Sequence, residues 1–370
     1  MKYRKVVALS LALAMTASLA ACGNSSSGDS AGTSSETTVE AGETEDTGTA
    51  TGTEEGGTTS FEPMTWSAAT SGADGSNFAA GLEKFGELLS ERTDGAITLN
   101  IFPSDQLTNG NAVDSLQGEM EGTIDVTFQA DGIWSNFDAR FNVLILPFLF
   151  TSTDEVDEKL FNGEGGAYLI DMLENEQGVK CLGIGENGFR YITNSKHEVC
   201  TPDDLKDLKL RVGGSPILTR TYDLWGVDYT TANWAEVYTG LQTGLYDGQE
   251  NPVAVAHASS IQEVQSYVTA WTAQYSCMFL TMNMDLYNSL SDELKEIVDE
   301  CGAEACAYQV ELTRQECEDY LEVWEEEYDM QVHYTTEEEI AMFKELSDPI
   351  YEEAMEEYGF TQELMDLFID

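Results

Sequence analysis

The sequence predicts an α/β protein built from more than one lobe. Strand-like and helix-like segments alternate over residues 61–130 in a βαβαβ order, which is typical of a sheet with parallel strands. A second helical pattern covers residues 292–327. A helix of that length extends about 54 Å, which exceeds the span of a small domain. The two observations together favour two packed lobes joined by one long helix.

Each element of the βαβαβ unit is predicted from the spacing of its apolar residues and from the residues that end it. Residues 61–69 form the first strand, and residues 77–93 form a helix because apolar side chains recur there at helical spacing. Residues 96–103 alternate like a strand that ends at a proline. A second helix over 110–121 then leads into a third strand over 124–130.

The middle of the chain continues the alternation. The apolar run over residues 141–150 is interrupted by Pro147 and is predicted to be core. Thr201 and Pro202 predict the start of a helix, with Thr as the cap and Pro in the first turn. The other predicted elements are a helix over 153–173, strands over 179–185, 190–195 and 208–212, and helices over 218–224, 234–242 and 253–264.

The long helix over 292–327 has a stripe of apolar residues that includes Tyr308 and Leu312. The stripe changes phase at Cys317, which fits a helix whose two halves pack on different surfaces. Two shorter helices separated by a break are the alternative.

The first 21 residues are predicted to be a lipoprotein signal peptide. Basic residues precede an apolar run that is too short to span a bilayer, and small residues follow up to Cys22. That ending resembles the bacterial lipobox, in which cleavage leaves the cysteine to be acylated; an ordinary signal peptide with an incidental cysteine is the alternative. Residues 22–60 then form a disordered acidic tether rich in Gly, Ser and Thr.

Charge excludes several classes of partner. The chain has 68 Asp and Glu against 17 Lys and Arg, a formal net charge of −51. Such a field disfavours nucleic acid and anionic membrane surfaces. It also means that an anionic ligand has to be met by a few well-placed arginines.

Cysteine and histidine spacing predicts neither a metal site nor a cofactor. Six cysteines follow Cys22 without a CxxC pair, and the three histidines are widely separated. Disulfides are possible in an exported chain, but the sequence does not assign any, and buried thiols are the alternative.

Enzyme motifs are not found. Residues 183–188 match GxGxxG, but the segment that follows has no helical spacing, which argues against a dinucleotide site. The sequence contains no GxxxxGK[ST], GxSxG or HExxH motif. The chain is therefore predicted not to be an enzyme.

Arg190 and Arg211 lie where predicted strands meet loops, and a guanidinium there can bind a carboxylate through two hydrogen bonds. Surface arginines that offset nearby acids are the alternative. The segment over 238–252 is interpreted as a helix that stops at Gly244, followed by a turn. Asn251 precedes a proline, so it caps the next helix, directs its amide at a ligand, or does both.

Two segments resemble a known family. GFRYITNSKHEVCTPDDLKDLKLRVGGSP over 188–216 and WAEVYTGLQTGLYDGQENP over 234–252 closely resemble the substrate-binding proteins of TRAP transporters, the DctP family. NIFPSDQL, the strand after Gly122 and the long late helix fit as well. The likeness extends from about Trp66 to the C-terminus.

The resemblance implies a periplasmic-binding-protein-like clamshell with two lobes, a cleft between them and a long helix spanning both. Lobe I would comprise about 61–187 and 278–316, and lobe II about 188–277 and 317–350. The implied ligand-binding residues are Arg211, which pairs with the ligand carboxylate, Arg190, which assists it, Asn251 and Trp234, with Gln129 and Asp131 as weaker candidates on the other lobe.

The implied function is capture of a small organic acid and its delivery to a TRAP membrane permease driven by an ion gradient. The protein would act as a monomer held on the outer face of the membrane through acylated Cys22. A sugar acid such as a uronate is favoured, and Ala130, at a position that is acidic in sialate-binding members, argues against sialate. The alternatives are a C4-dicarboxylate receptor of the same family, the binding component of an ATP-driven importer, and a secreted hydrolase.

Overall fold

Two separate β-sheets organise the chain in the computed structural model, which describes residues 61–369. The strands are β1 (Met64–Thr70), β2 (Ile97–Phe102), β3 (Val126–Ala130), β4 (Val179–Phe189), β5 (Tyr191–Asn194), β6 (Lys209–Val212), β7 (Asp228–Thr231), β8 (Gly248–Asn251), β9 (Tyr267–Ala270), β10 (Tyr275–Asn283) and β11 (Gln331–Tyr334). The predicted signal peptide, Cys22 and the tether lie outside the described residues.

The first sheet has the strand order β2-β1-β3-β10-β4. β1 pairs in parallel with β2 and β3, so the predicted parallel βαβαβ unit is confirmed. β10 pairs antiparallel with both β3 and β4, which makes the sheet mixed. The local pattern of residues 61–130 did not predict this strand, because β10 comes from far along the chain.

The second sheet has the strand order β11-β9-β5-β8-β6-β7. β5 pairs antiparallel with β8 and β9, whereas β6 pairs in parallel with β7 and β8. The chain passes from the first sheet to the second between Phe189 and Tyr191, and returns between Ala270 and Tyr275.

Helices cover both sheets. They are α1 (Asn77–Arg92), α2 (Ala112–Met120), α3 (Asp131–Trp134), α4 (Thr153–Val156), α5 (Glu164–Met172), α6 (Pro202–Leu205), α7 (Pro216–Leu224), α8 (Val237–Gln242), α9 (Val253–Ala258), α10 (Met284–Ser289), α11 (Asp292–Glu327), α12 (Glu337–Ser347), α13 (Pro349–Glu357) and α14 (Gln362–Asp366). Thr201 caps α6 as predicted, in a reciprocal capping box with Asp204.

α11 is one unbroken helix, so the alternative of two shorter helices is wrong. It packs against α1 and β4 on the side of the first sheet and against α9 and β11 on the side of the second. Tyr308 was predicted to lie on its buried stripe but is exposed, and Gln309 and Thr313 are buried instead. The amide of Gln309 bonds to the backbone N and O of Glu186 in β4, a polar contact that an apolar pattern does not detect.

Two other predicted helices are shorter than expected. The helix predicted over 153–173 is interrupted, because Gly163 is extended and a Cβ there would lie 2.4 Å from the carbonyl O of Lys159. The helix predicted over 253–264 ends at Ala258, since Ser260 has the left-handed φ of 58°. Both breaks are made by single backbone positions.

The apolar run over 141–150 is core, as predicted, with Phe141, Val143 and Leu144 fully buried. The six cysteines between residues 181 and 317 are all free thiols, four of them buried. No helix between residues 61 and 369 combines the length and the apolar character needed to cross a membrane.

Candidate functional site

A cavity of about 450 Å³ lies between the two sheets. Arg190, Arg211, Asn251 and Trp234 all line it, so the structure brings together the four residues predicted as the main candidates. The wall formed by α2 and β3 with their adjoining loops, which belongs to the first sheet, is called the first wall here. The wall formed by β5, β6, β8 and the loop before α8, which belongs to the second sheet, is called the second wall.

Strand register sets the charged residues of the second wall side by side. Ile192 of β5 is paired with Glu250 of β8, so Arg190 lies just before the paired segment. Arg211 of β6 is paired with Gln249 on the other side of β8. β8 therefore places Glu250 between Arg211 of β6 and Arg190, which directly precedes β5.

Glu250 is fully buried and joins the two arginines. Its Oε2 accepts a hydrogen bond from Nε of Arg190, and its Oε1 lies 4.0 Å from Nη1 of Arg211. The backbone N of Gly213 also donates to Oε1, at 2.9 Å. A buried carboxylate with these partners stabilises two guanidiniums in a region that excludes most water.

The Arg211 side chain is held along one edge and left open along another. Its Nε and Nη2 donate to the carbonyl O of Ala232 at 3.0 and 2.6 Å, and its guanidinium carbon lies 5.5 Å from the ring centroid of Trp234. Burial lowers the pKa of Arg211 to about 10; the charge of Glu250 opposes that shift and the charge of Arg190 adds to it. An anion beside this guanidinium would reverse the shift.

The Arg190 side chain is more fully engaged. Its Nη2 donates to the carbonyl O of Glu250 at 3.2 Å and to Oδ1 of Asn251 at 2.9 Å. Burial acts to lower the pKa of Arg190, but the charge of Glu250, the hydrogen bond to it and the charge of Asp131 together raise the pKa above the ordinary value. Arg190 therefore lines the cavity and also forms a structural ion pair with Glu250.

Asn251 does not cap a helix, so that alternative for this residue is wrong. The N-cap position of α9 is occupied by Pro252, and Asn251 is the last residue of β8. Its Nδ2 donates to Oε1 of Gln249 at 3.0 Å while its Oδ1 accepts from Arg190. The side chain is therefore fixed in the wall of the cavity.

The two arginines keep donors available to the cavity. Within residues 61–369 their hydrogen bonds use Nε and Nη2, which leaves Nη1 of each guanidinium without a hydrogen-bond partner. Two guanidinium charges against one Glu250 carboxylate also leave one positive charge uncompensated within the trio. That arrangement can bind a carboxylate of a ligand.

The first wall offers hydrogen-bonding groups in place of positive charge. Asp105 lines the cavity and accepts hydrogen bonds on Oδ1 from Ser115 at 2.7 Å and from Gln129 at 2.6 Å. Burial raises the pKa of Asp105, and these two hydrogen bonds oppose the rise. Asn111, Asn136 and Asn187 line the same side.

Gln129 and Asp131, the weaker candidates, lie behind the first wall and outside the lining of the cavity. Gln129 is buried and orients Asp105 through its amide. Asp131 accepts from Ser276 at 2.5 Å and from the backbone N of Gly132 at 2.8 Å, and both of those residues line the cavity. Burial raises the pKa of Asp131 to about 7 against the effect of these hydrogen bonds.

Sequence reasoning missed Glu250, Asp105 and Asn187. Glu250 stands inside the segment that singled out Asn251, and it is an acid in a stretch that has few charges. That contrast was the available signal. Asp105 and its neighbour Ser104 have left-handed φ angles of 47° and 53°. The local sequence pattern did not predict this backbone conformation.

The GxGxxG match over 183–188 lies within strand β4, and no helix opens at its glycines. The segment therefore lacks the helix N-terminus that a dinucleotide phosphate requires. The rejection of a nucleotide site on sequence grounds agrees with this geometry.

The chain is similar to known proteins of one family. The family model DctP, described as bacterial extracellular solute-binding protein, family 7, matches residues 68–358. The 2,3-diketo-L-gulonate-binding periplasmic protein YiaO of Escherichia coli is 35% identical over 247 residues, which cover 67% of this chain and 74% of that protein.

Solved structures of the same kind are similar over most of the chain. The sugar acid binding protein DctPAm of Advenella mimigardefordensis, in complex with galactonate, has a TM-score of 0.77 and 28% identity, covering 82% of this chain and 96% of that one. A TRAP periplasmic solute-binding protein of a Sulfitobacter species, with bound β-D-galacturonate, has a TM-score of 0.77 and 26% identity, covering 82% and 99%.

Proposed function

The chain belongs to the DctP family of bacterial extracellular solute-binding proteins, family 7, and we propose that within it the protein captures a sugar acid and delivers it to a TRAP-type permease. The two-lobed α/β fold with its long helix matches solved TRAP solute-binding proteins. Membership identifies the protein as a receptor for a solute and not as an enzyme.

The observation that supports an acidic ligand is the Arg190–Glu250–Arg211 trio. One positive charge in it is uncompensated, and two Nη1 atoms lack hydrogen-bond partners within residues 61–369. A carboxylate placed there would form charge-assisted hydrogen bonds that contribute about 1.5–3 kcal/mol each. Arg211 is the principal partner in this proposal, because Arg190 is already bound to Glu250 and Asn251.

The first wall favours hydroxyl groups over a second carboxylate. Among the lining residues of the described chain, Arg190 and Arg211 are the cations, and both belong to the second wall. The far carboxylate of a C4-dicarboxylate would approach Asp105 without a cation to pair with it. Hydroxyl groups would instead donate to Asp105 and exchange hydrogen bonds with Asn111 and Asn187.

The known relatives support the same class of ligand. The names of three similar proteins refer to 2,3-diketo-L-gulonate, galactonate and galacturonate, which are all sugar acids. A ligand that contacts both walls stabilises the closed form, since only differential affinity shifts an equilibrium between two states. The carboxylate on one side and the hydroxyls on the other provide that difference.

The remaining parts of the proposal concern location. Acylation of Cys22 would hold the protein on the outer face of the membrane, with residues 23–60 as a tether between the anchor and the binding domain. Metabolic labelling with a palmitate analogue tests this step: label in the wild type and none in Cys22→Ala supports it, and equal labelling contradicts it.

The ligand class is tested by a thermal-shift screen of the purified protein. We expect hexuronates or aldonates to raise Tm more than C4-dicarboxylates, 2-oxo acids or aromatic acids. Arg211→Ala abolishes the shift while the unliganded protein stays folded by circular dichroism. Arg220→Ala is the matched control, because Arg220 pairs with Glu353 and does not line the cavity.

A larger shift with C4-dicarboxylates would replace the sugar acid by that class and keep the arginine clamp. An undiminished shift in Arg211→Ala would reject the clamp itself. Deletion of the gene tests the delivery step. Loss of TRAP-dependent uptake of the ligand in the deletion strain supports that step, and unchanged uptake contradicts it.

A further inference from the structure

Three side chains with metal-binding atoms meet at the edge of the second sheet, away from the cavity. Glu198 and Cys200 lie in the loop between β5 and α6, and His333 lies in the edge strand β11. One ligand atom from each lies within 4.8 Å of the others. None of the three lines the cavity.

The separations suit a single ion. Sγ of Cys200 lies 3.1 Å from Oε1 of Glu198, and Nδ1 of His333 lies 3.3 Å from the same oxygen. In a tetrahedral zinc site the Zn–S, Zn–N and Zn–O bond lengths place neighbouring ligand atoms about 3.4–3.6 Å apart. The two separations that involve Glu198 are therefore within a few tenths of an ångström of those in a zinc site, and Sγ of Cys200 and Nδ1 of His333 lie within 4.8 Å of each other.

His333 is already oriented for this role. Its Nε2 lies 3.0 Å from Oε2 of Glu339 and its Nδ1 lies 3.3 Å from Oε1 of Glu198. In the tautomer that carries its proton on Nε2, Glu339 accepts that proton and Nδ1 is left to bind a metal ion. Glu339 is itself fixed, because the backbone N and the hydroxyl of Thr336 donate to the same Oε2. A carboxylate that holds the far nitrogen of a ligand histidine is the usual outer contact of a metal site.

We propose that Glu198, Cys200 and His333 bind a divalent transition-metal ion of the zinc type, with Glu339 as the positioning residue for His333. One thiol, one imidazole and one carboxylate suit Zn²⁺ or Co²⁺ and do not suit Mg²⁺ or Ca²⁺, which prefer oxygen ligands. Water completes the tetrahedron. The proposal departs from the expectation of no metal site, which rested on sequence spacing.

The charge balance supports a cation here. Sγ of Cys200 donates a hydrogen bond to Oε1 of Glu198 at 3.1 Å, so the cluster holds one thiol proton before a metal ion binds. Binding of M²⁺ displaces that one proton to solvent and leaves a metal thiolate, and the ion's two positive charges then face the thiolate and Glu198.

Metal binding would connect two distant parts of the chain. β11 pairs in parallel with β9 and follows the long helix α11, whereas Glu198 and Cys200 belong to the loop after β5. An ion between them would fasten the strand at the edge of the second sheet to the segment that precedes α6. We therefore expect bound metal to raise the stability of the protein.

The test uses Co²⁺ as a spectroscopic probe and Zn²⁺ as its competitor. One equivalent of CoCl₂ added to the purified protein gives a sulfur-to-cobalt charge-transfer band and the visible absorption of tetrahedral cobalt, and ZnCl₂ abolishes both. Cys200→Ser removes the charge-transfer band, and His333→Gln weakens cobalt binding at least tenfold. Cys317→Ser, which removes the other half-buried thiol, is the matched control and keeps the wild-type spectrum.

Glu339→Gln tests the positioning role separately. It keeps all three ligands and is expected to weaken cobalt affinity about tenfold or more while the charge-transfer band keeps its wavelength. An unchanged spectrum in Cys200→Ser, the absence of a charge-transfer band in the wild type, or only octahedral cobalt absorption would each overturn the proposal.

Discussion

The two walls of the cavity differ in what their buried carboxyl groups face. On the second wall, Glu250 lies between Arg190 and Arg211, so its charge is shared by two guanidiniums. Asp105 on the first wall and Asp131 behind it face hydroxyl and amide groups, and burial raises the pKa of both. The second wall has excess positive charge, and the first has polar groups that accept and donate hydrogen bonds.

This difference separates two tasks of recognition. A charged group is captured where cations are pre-positioned, and hydroxyl groups are distinguished where neutral or weakly acidic acceptors are fixed by their own hydrogen bonds. A ligand with one carboxylate and several hydroxyls satisfies both walls at once. The following predictions test the division, in decreasing order of expected effect.

The largest effect is expected from Glu250→Gln. The substitution leaves two buried guanidiniums without a counter-charge, and breaking a buried pair in this way costs about 3–5 kcal/mol. Urea denaturation measures the loss in the free energy of unfolding. Glu353→Gln is the control, because it breaks the partly exposed pair with Arg220, which we expect to contribute about 1 kcal/mol or less. Equal losses in the two variants would contradict the structural role of Glu250.

Asp105→Asn tests the first wall. Loss of the carboxylate acceptor is expected to weaken binding of a hydroxylated acid by about 1.5–3 kcal/mol, and to leave a C4-dicarboxylate unaffected or slightly better bound. Calorimetric titration with both ligands measures the contrast. Asp114→Asn, on the exposed side of α2, serves as the control. A uniform loss for both ligands would show that the first wall does not discriminate.

The buried acids beside the first sheet make stability depend on pH. Burial raises the pKa of Glu119 to about 8, although three hydrogen bonds from Thr127 and Thr281 oppose the shift. Because this pKa is higher folded than unfolded, the contribution of Glu119 is present below pH about 4.5 and is lost as pH rises to about 8.

Glu119→Gln removes that titration and keeps the shape of the side chain. Its free energy of unfolding relative to the wild type is therefore expected to improve by about 1 kcal/mol or more between pH 5 and pH 8. Denaturation midpoints at the two pH values give the measurement, with the exposed Glu83→Gln as the control. A relative loss for Glu119→Gln on going to pH 8 would have the wrong sign.

The smallest effect is expected from Trp234→Phe. The indole lies 5.5 Å from the guanidinium carbon of Arg211 and its Nε1 donates to Ser259 at 3.1 Å. A weaker cation–π partner is expected to cost about 0.5–1 kcal/mol of ligand affinity. Ser259→Ala removes only the hydrogen bond, so a loss of the same size in that variant would assign the effect to the hydrogen bond and not to the ring.

Much of the fold followed from local pattern. The sequence predicted the bounds of α11 and the parallel β1–β3 unit. Their signals, which are the spacing of apolar residues and the residues that end each element, lie within contiguous segments. The antiparallel β10 was not, since its place between β3 and β4 depends on pairing across more than 80 residues of sequence. Buried polar contacts such as those of Gln309 were missed for a similar reason.

The sequence predicted the two arginines of the candidate site but did not predict Glu250 and Asp105. Arginines are scarce in this chain, so each one stood out, and the resemblance assigned Arg190 and Arg211. Acids are so numerous that Glu250 and Asp105 could not be distinguished by composition. The meeting of Cys200 with His333 likewise depends on the placement of β11, which sequence spacing does not reveal.

The central claim is that the uncompensated charge beside Arg211 captures the carboxylate of the ligand. Isothermal titration calorimetry with the best acid from the screen and with its primary amide, on the wild type and on Arg211→Ala, tests it most directly. We predict that the wild type binds the acid at least about 100-fold more tightly than the amide, and that Arg211→Ala loses this preference. Equal affinity of the wild type for acid and amide, or an unchanged preference in Arg211→Ala, would contradict the claim.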